Sequence, residues 1–108
     1  LGFIRPRGRG TGTRNFIILL GTTSRTAGFV RALEQKLQRE VSLASYPNID
    51  GIVAVTHTEG GTETTPHNAE LLLRTLSGFA VHPNVGGTLL CDIGTEPVNN
   101  ARVREWLK

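Results

Sequence analysis

The 108-residue chain has no methionine, a single cysteine and six aromatic residues. One cysteine cannot form an internal disulfide, so the fold must rest on apolar burial. Cys91, set in the apolar run Gly87–Ile93, reads as a small buried hydrophobe before it reads as a nucleophile. No apolar run approaches the roughly 20 residues that cross a bilayer, and the charged-then-apolar pattern of a secretory signal is missing. A cytoplasmic location with no membrane partner is expected. The missing methionine, with Leu1 in first place, is expected of a piece of a longer protein.

Acidic residues are absent from the opening segment. Arg5, Arg7, Arg9 and Arg14 fall in "RPRGRGTGTRN", and the remaining eight basic residues are set against all nine acids of the chain. The net charge of +3 is therefore local. A nucleic-acid surface would repeat Lys and Arg along a groove or helix and interleave aromatics for stacking, and this chain does neither, so no nucleic-acid partner is expected. Arg14 is expected to serve the domain, with Arg5, Arg7 and Arg9 solvated or meeting an anion. Residues 1–15 read as a basic Gly/Arg-rich lead-in and 16–108 as a single α/β domain.

Past Asn15 the pattern turns regular. Phe16–Leu20 is a short continuous apolar run closed by Gly21, the mark of a strand buried on both faces. Ala27, Val30, Leu33 and Leu37 recur at helical spacing from about Ser24 to Gln38, with Thr23 or Ser24 as a cap. Gly51–Thr56 repeats the buried-strand pattern. A second helix is expected from near Pro66, capped by Thr64 or Thr65, with Ala69, Leu72, Leu73, Leu76 and Phe79 on its apolar face and His82-Pro83 as its stop. Gly87–Ile93 reads as a third strand and Pro97 as the opening of a last helix through Trp106. The order β-α-β-α-β-α, with strands too apolar for a half-exposed sheet, predicts a Rossmann-like three-layer α/β/α fold with a short parallel sheet. Such a short sheet leaves two edges to be covered by further strands, another domain or another copy. The turn Gly21–Thr26 lacks the glycine spacing of a dinucleotide fingerprint.

Open parallel sheets bind ligands beyond the carboxyl ends of their strands. Here those ends are polar: Gly21–Ser24, Thr56–Glu63 and Asp92–Glu96. Each has an ordinary explanation in helix capping and turn formation. His57 stands out, since it ends a buried strand close to two glycines that admit a ligand. Thr22, Ser24, Thr58, Gly60 and Gly61 share these edges and are candidates for substrate binding.

Three segments in register, "GTRNF", "YPNIDGIVAVTH" and "TLSGFAVHPN", resemble the central domain of the altronate and galactarate dehydratase family, sugar-acid hydro-lyases that also include a sulfolactate sulfo-lyase. The resemblance spans nearly the whole chain. It implies elimination of water from a hydroxylated sugar acid, assisted by a divalent metal such as iron or manganese in the full-length protein, with a further domain downstream. It also implies that Arg14 and Asn15 face the substrate or the loops, that His57 is a base or ligand, and that Glu96 and Asn99 match the Glu and Asn after the third strand. His57 and Glu96 are thus the catalytic candidates.

The departures concern cysteine. Arg25, Gly61 and Thr95 stand where the family pattern has cysteines after the three strands, and both the opening and Glu96–Asn99 run one residue long. Loss of all three together points to a shared role, on a metal or a redox-sensitive contact, that this chain has changed. The expected partners are a small carboxylate substrate, a downstream domain and, through the sheet edges, a homo-oligomer. No tightly bound metal is expected on this segment alone. A non-catalytic binding or assembly module that kept the fold is the alternative.

Overall fold

The computed structural model of the protein describes residues 2–60 and 67–108. Its centre is a parallel sheet of β3 (Phe16–Gly21), β4 (Gly51–Val55) and β5 (Val85–Cys91) in the order β4-β3-β5. Ile18 pairs with Val53 on one side and Thr88 on the other. The middle strand is the most apolar, as a strand with neighbours on both sides and helices on both faces must be: Ile18, Leu19 and Leu20 are all buried. Alternation sends their side chains to opposite layers.

One layer is α1 (Ala27–Glu40), whose Val30, Leu33 and Leu37 pack with Ile17, Leu19, Ile52 and Cys91. The other is α2 (Ala69–Ala80) with α3 (Asn100–Trp106), where Leu72, Leu73, Leu76, Val98 and Val103 close over Ile18 and Leu20. The fold is α/β, a parallel three-stranded sheet between helices. Among the described residues no helix is long and apolar enough to cross a membrane.

Several boundaries differ from the sequence pattern. Ser24–Thr26 is a 3-10 turn ahead of α1, and neither Thr23 nor Ser24 caps through its side chain. Thr26 Oγ1 instead donates to the Thr23 carbonyl at 2.9 Å, closing the turn. The expected caps Thr64 and Thr65 and the start at Pro66 lie outside the described residues; α2 is described from Ala69. β5 begins at Val85 and ends at Cys91, two residues ahead of expectation at each end, and a register shift between Phe16 and Ile17 leaves Gly86 as an extra residue near its start. The last helix opens at Asn100 and not at Pro97. Val98 is needed in the core, and Asn99, extended at φ −131°, caps by accepting the Arg102 amide at 3.0 Å.

The basic opening forms a small antiparallel hairpin, β1 (Phe3–Ile4) with β2 (Thr11–Gly12). Two of its arginines are not solvated as expected. Arg5 donates through Nε to the Pro83 carbonyl at 2.7 Å, and its Nη2 reaches the Arg14 carbonyl and Asn15 Oδ1. Arg9 donates to the carbonyls of Val81, His82 and Val85 at 2.9–3.0 Å. The Val81 carbonyl is left over at the end of α2, and the His82 carbonyl just beyond it also accepts the Val85 amide at 2.9 Å; a cation there complements the helix dipole. Gly12 allows the approach, since a Cβ there would run into the Pro83 carbonyl. The hairpin is a clamp on the α2–β5 turn. Arg7, at φ +57° in the hairpin turn, stays exposed.

Candidate functional site at the strand ends

Parallel strands bring the ends of β3, β4 and β5 to one edge, and hydrogen bonds tie their loops together. Thr22, fully buried, donates its amide at 3.2 Å and its hydroxyl at 3.3 Å to the Cys91 carbonyl, joining the first loop to the third. The Ser24 amide donates to the Glu59 carbonyl at 2.8 Å, joining it to the second. Arg25 Nη1 spans to Thr95 Oγ1 at 3.4 Å. Two of the three places where the family pattern has cysteine are thus in contact through polar side chains; the third, Gly61, lies outside the described residues.

His57 sits between these loops. Its Nδ1 accepts the Glu59 amide at 3.1 Å, which requires a lone pair there. Nε2 therefore carries the hydrogen and donates to the Thr22 carbonyl at 3.0 Å. Both nitrogens are engaged with backbone, and in this arrangement the lone pair that a base would use is occupied. The loop after β4 turns at Gly60, whose φ of +71° and contact with Thr23 and Leu72 suit a residue without Cβ.

The third loop is built on carboxylates. Glu96 is 2 % exposed; its Oε1 accepts the Ile93 amide at 2.7 Å and its Oε2 has no partner among the described residues. Asp92 Oδ2 accepts the Asn100 amide at 2.7 Å, and Asn100 Nδ2 donates to the Leu90 carbonyl. Thr23 Oγ1 is likewise buried and unpartnered. Thr23, Glu59, Asp92 and Asn100 also organise the edge; the first three lie in the polar strand ends read from the sequence but are not among its site candidates, and Asn100 is not among them either. The signal for Asp92 and Asn100 was an acid after a strand followed eight residues later by an Asn near a helix start. Nothing local marked Glu59, which acts through its backbone.

The structure gathers Thr22, Ser24, His57, Thr58, Gly60, Glu96 and Asn99 at this edge, with Thr58 exposed and Asn99 engaged as a cap. It does not gather Arg14 and Asn15. They precede β3, so the six residues of that strand, at roughly 3.3 Å each, hold them about 20 Å from the strand ends. There Asn15 donates its amide to Asp50 Oδ2 at 2.6 Å and its side chain to the Asn48 carbonyl, and Arg14 lies 4.0 Å from Asp50. Their contacts fix the opposite end of the sheet. An open groove of about 340 Å³ runs from His57 and Glu59 past Val55, Leu72 and Phe79, with a mostly apolar lining that suits a hydrocarbon surface better than a polyhydroxylated acid.

Among the described residues no group of three or more His, Cys, Asp or Glu side chains could hold a metal. The chemistry of the donors agrees: His57 has no free nitrogen, and Glu96 and Asp92 each spend an oxygen on a backbone amide. The described residues do not fit a divalent-metal site. Burial, and then the charge of Asp92, push the Cys91 thiol above the ordinary range and disfavour its thiolate.

The family model described as D-galactarate dehydratase/Altronate hydrolase, second domain, matches residues 2–108. The chain belongs to this family. No curated protein and no solved structure matches it. The match takes in the hairpin as well as the sheet and its strand-end loops.

Proposed function

We propose that this chain is the second domain of a sugar-acid hydro-lyase, one that carries substrate-facing loops on a rigid sheet but does not complete the reaction by itself. The observation behind this reading is the family match over residues 2–108 together with the polar, cross-linked strand-end edge. Dehydration of a hydroxy acid requires a base for the proton beside the carboxylate, help for the departing hydroxyl, and stabilisation of the charge that builds on the carboxylate. The Ser24 hydroxyl and the exposed Thr58 offer donors for a carboxylate, whereas Thr22 is buried with its amide and hydroxyl both on the Cys91 carbonyl and shapes the loop. Glu96 offers a carboxylate oxygen without a partner, and His57 orients the loops, acting as a base only if the Glu59 amide leaves Nδ1. A divalent metal, if the enzyme uses one, is on this reading held by residues other than the described ones. The downstream domain is then an obligatory partner.

The alternative is a binding or assembly module that kept the family fold. The polar Arg25–Thr95 contact at two of the cysteine places favours it. The two readings separate in one assay. The 108-residue chain is incubated with galactarate or altronate, with and without iron or manganese, and compared with the protein carrying all of its domains, following the keto-acid product. Product from the complete protein alone supports the hydro-lyase domain. Product from neither supports the binding module, and product from the 108-residue chain overturns the proposal that chemistry needs the other domains.

A further inference from the structure

The two edges of the sheet are treated differently. Along β4, α1 lays two side chains one turn apart over the outer edge: Glu34 Oε2 accepts the Ala54 amide at 2.5 Å, and Gln38 Nε2 donates to the Ile52 carbonyl at 3.1 Å. A helix has taken the hydrogen bonds that a further strand would need, a device that protects edge strands from pairing. Along β5, among the described residues, only the ends are covered. Arg9 takes the Val85 carbonyl and Asn100 the Leu90 carbonyl. Cys91 turns its carbonyl to Thr22 and hence to β3. By alternation Thr88 and Leu90 turn their peptide groups outward. Both backbone groups of Thr88 and the amide of Leu90 have no partner among the described residues. A groove of about 290 Å³ follows this stretch, lined by Arg9, Val81, Gly86, Thr88, Leu90 and Leu107.

We propose that β5 is the edge through which two copies of this chain pair, antiparallel about a twofold axis at Thr88, to make one six-stranded sheet. The edge is self-complementary in charge. Such pairing lays the Val85 end of one β5 against the Cys91 end of the other. Arg9, fixed at the Val85 carbonyl with no carboxylate partner among the described residues, then meets Asp92 of the second copy, which keeps Oδ1 free. The edge is also flanked by exposed apolar side chains: Leu89 on the α1 face and Leu107, which follows α3, in the groove. Phe29, 63 % exposed, stands on the flank of α1 opposite Gln38, toward β5. Exposed apolar residues gathered beside an open edge belong to an interface.

Sedimentation or light scattering of the 108-residue chain is expected to give twice the mass of one chain. Leu89→Lys, on an exposed strand position, is expected to weaken the dimer tenfold or more with the circular dichroism spectrum retained. Val53→Lys, at the sealed β4 edge, is expected to leave it intact. Thr88→Cys tests the register. Hydrogen-bonded antiparallel partners lie about 5.5 Å apart at Cα, within disulfide reach, and the native Cys91 is buried and does not compete. A cross-linked dimer under mild oxidation supports the pairing. A monomer, which would leave this edge to a different domain, or a dimer that neither cross-links at Thr88 nor yields to Leu89→Lys, overturns it.

Discussion

His57 donates from Nε2 to the carbonyl oxygen of Thr22 at 3.0 Å, so one imidazole holds the end of β4 to the end of β3. Because Nδ1 is taken by the Glu59 amide, the same ring also shapes the loop after β4. His57→Ala is therefore expected to lower stability by about 1–3 kcal/mol, the worth of two ordinary hydrogen bonds. Urea unfolding with an unchanged midpoint would show that the ring holds nothing, and would leave a purely catalytic role for it.

The hairpin clamp makes a sharper forecast, since one side chain serves three carbonyls. Arg9→Ala is expected to cost about 2–3 kcal/mol, at the upper range for hydrogen bonds from a charged donor. Arg9→Lys should recover little, because an ammonium cannot reproduce the planar fork that spans Val81, His82 and Val85. Equal stability of the Lys variant and the unaltered protein would show that charge at the end of α2, and not geometry, is what matters.

The contacts of this arginine leave no mark in the sequence. The three strands and the faces of α1 and α2 are legible, because burial on both sides of a sheet forces continuous apolar runs and burial on one side of a helix forces the 3.6 period. The placement of His57, Thr22 and Glu96 at one edge follows from strand direction alone. The partners of Arg5 and Arg9 do not: they are backbone carbonyls more than seventy positions away for all but the local contacts of Arg5, and a carbonyl leaves no trace in residue identity. The same holds for Glu34 and Gln38, which read as the polar face of α1 and act as caps on β4. The resemblance implies a place at the site for Arg14 and Asn15, and the length of β3 sets them at the other end.

A pH effect is expected at Cys91. Burial, and secondarily Asp92, raise its thiol in the folded chain above its unfolded value. The folded state keeps the proton after the unfolded state has lost it, so stability is complete below the ordinary thiol range near pH ~8.5 and falls as pH rises through the folded value. The slope above that range should be shallower in Cys91→Ala than in the unaltered protein. Parallel curves would remove the thiol as its source. In the same folded state the thiol should resist alkylation until denaturant is added.

Glu96 separates structural from chemical roles most cleanly. Its carboxyl is almost wholly buried, with Oε1 on the Ile93 amide and Oε2 without a partner among the described residues. A buried charge with an unpaired oxygen costs free energy, whereas an amide of the same shape keeps the Ile93 contact without the charge. Glu96→Gln is expected to leave stability unchanged or raised, and Glu96→Ala to lower it by about 1–3 kcal/mol, since the Ile93 amide then loses its acceptor in a buried loop. A carboxylate retained at such a cost, on the edge where a sugar acid would lie, is expected to serve the reaction. In the protein with all of its domains, Glu96→Gln should therefore fold as well as the unaltered protein and lose at least tenfold in dehydration rate. Full activity in a stable Glu96→Gln variant would reduce Glu96 to a loop staple and move the search for the base to the other domains.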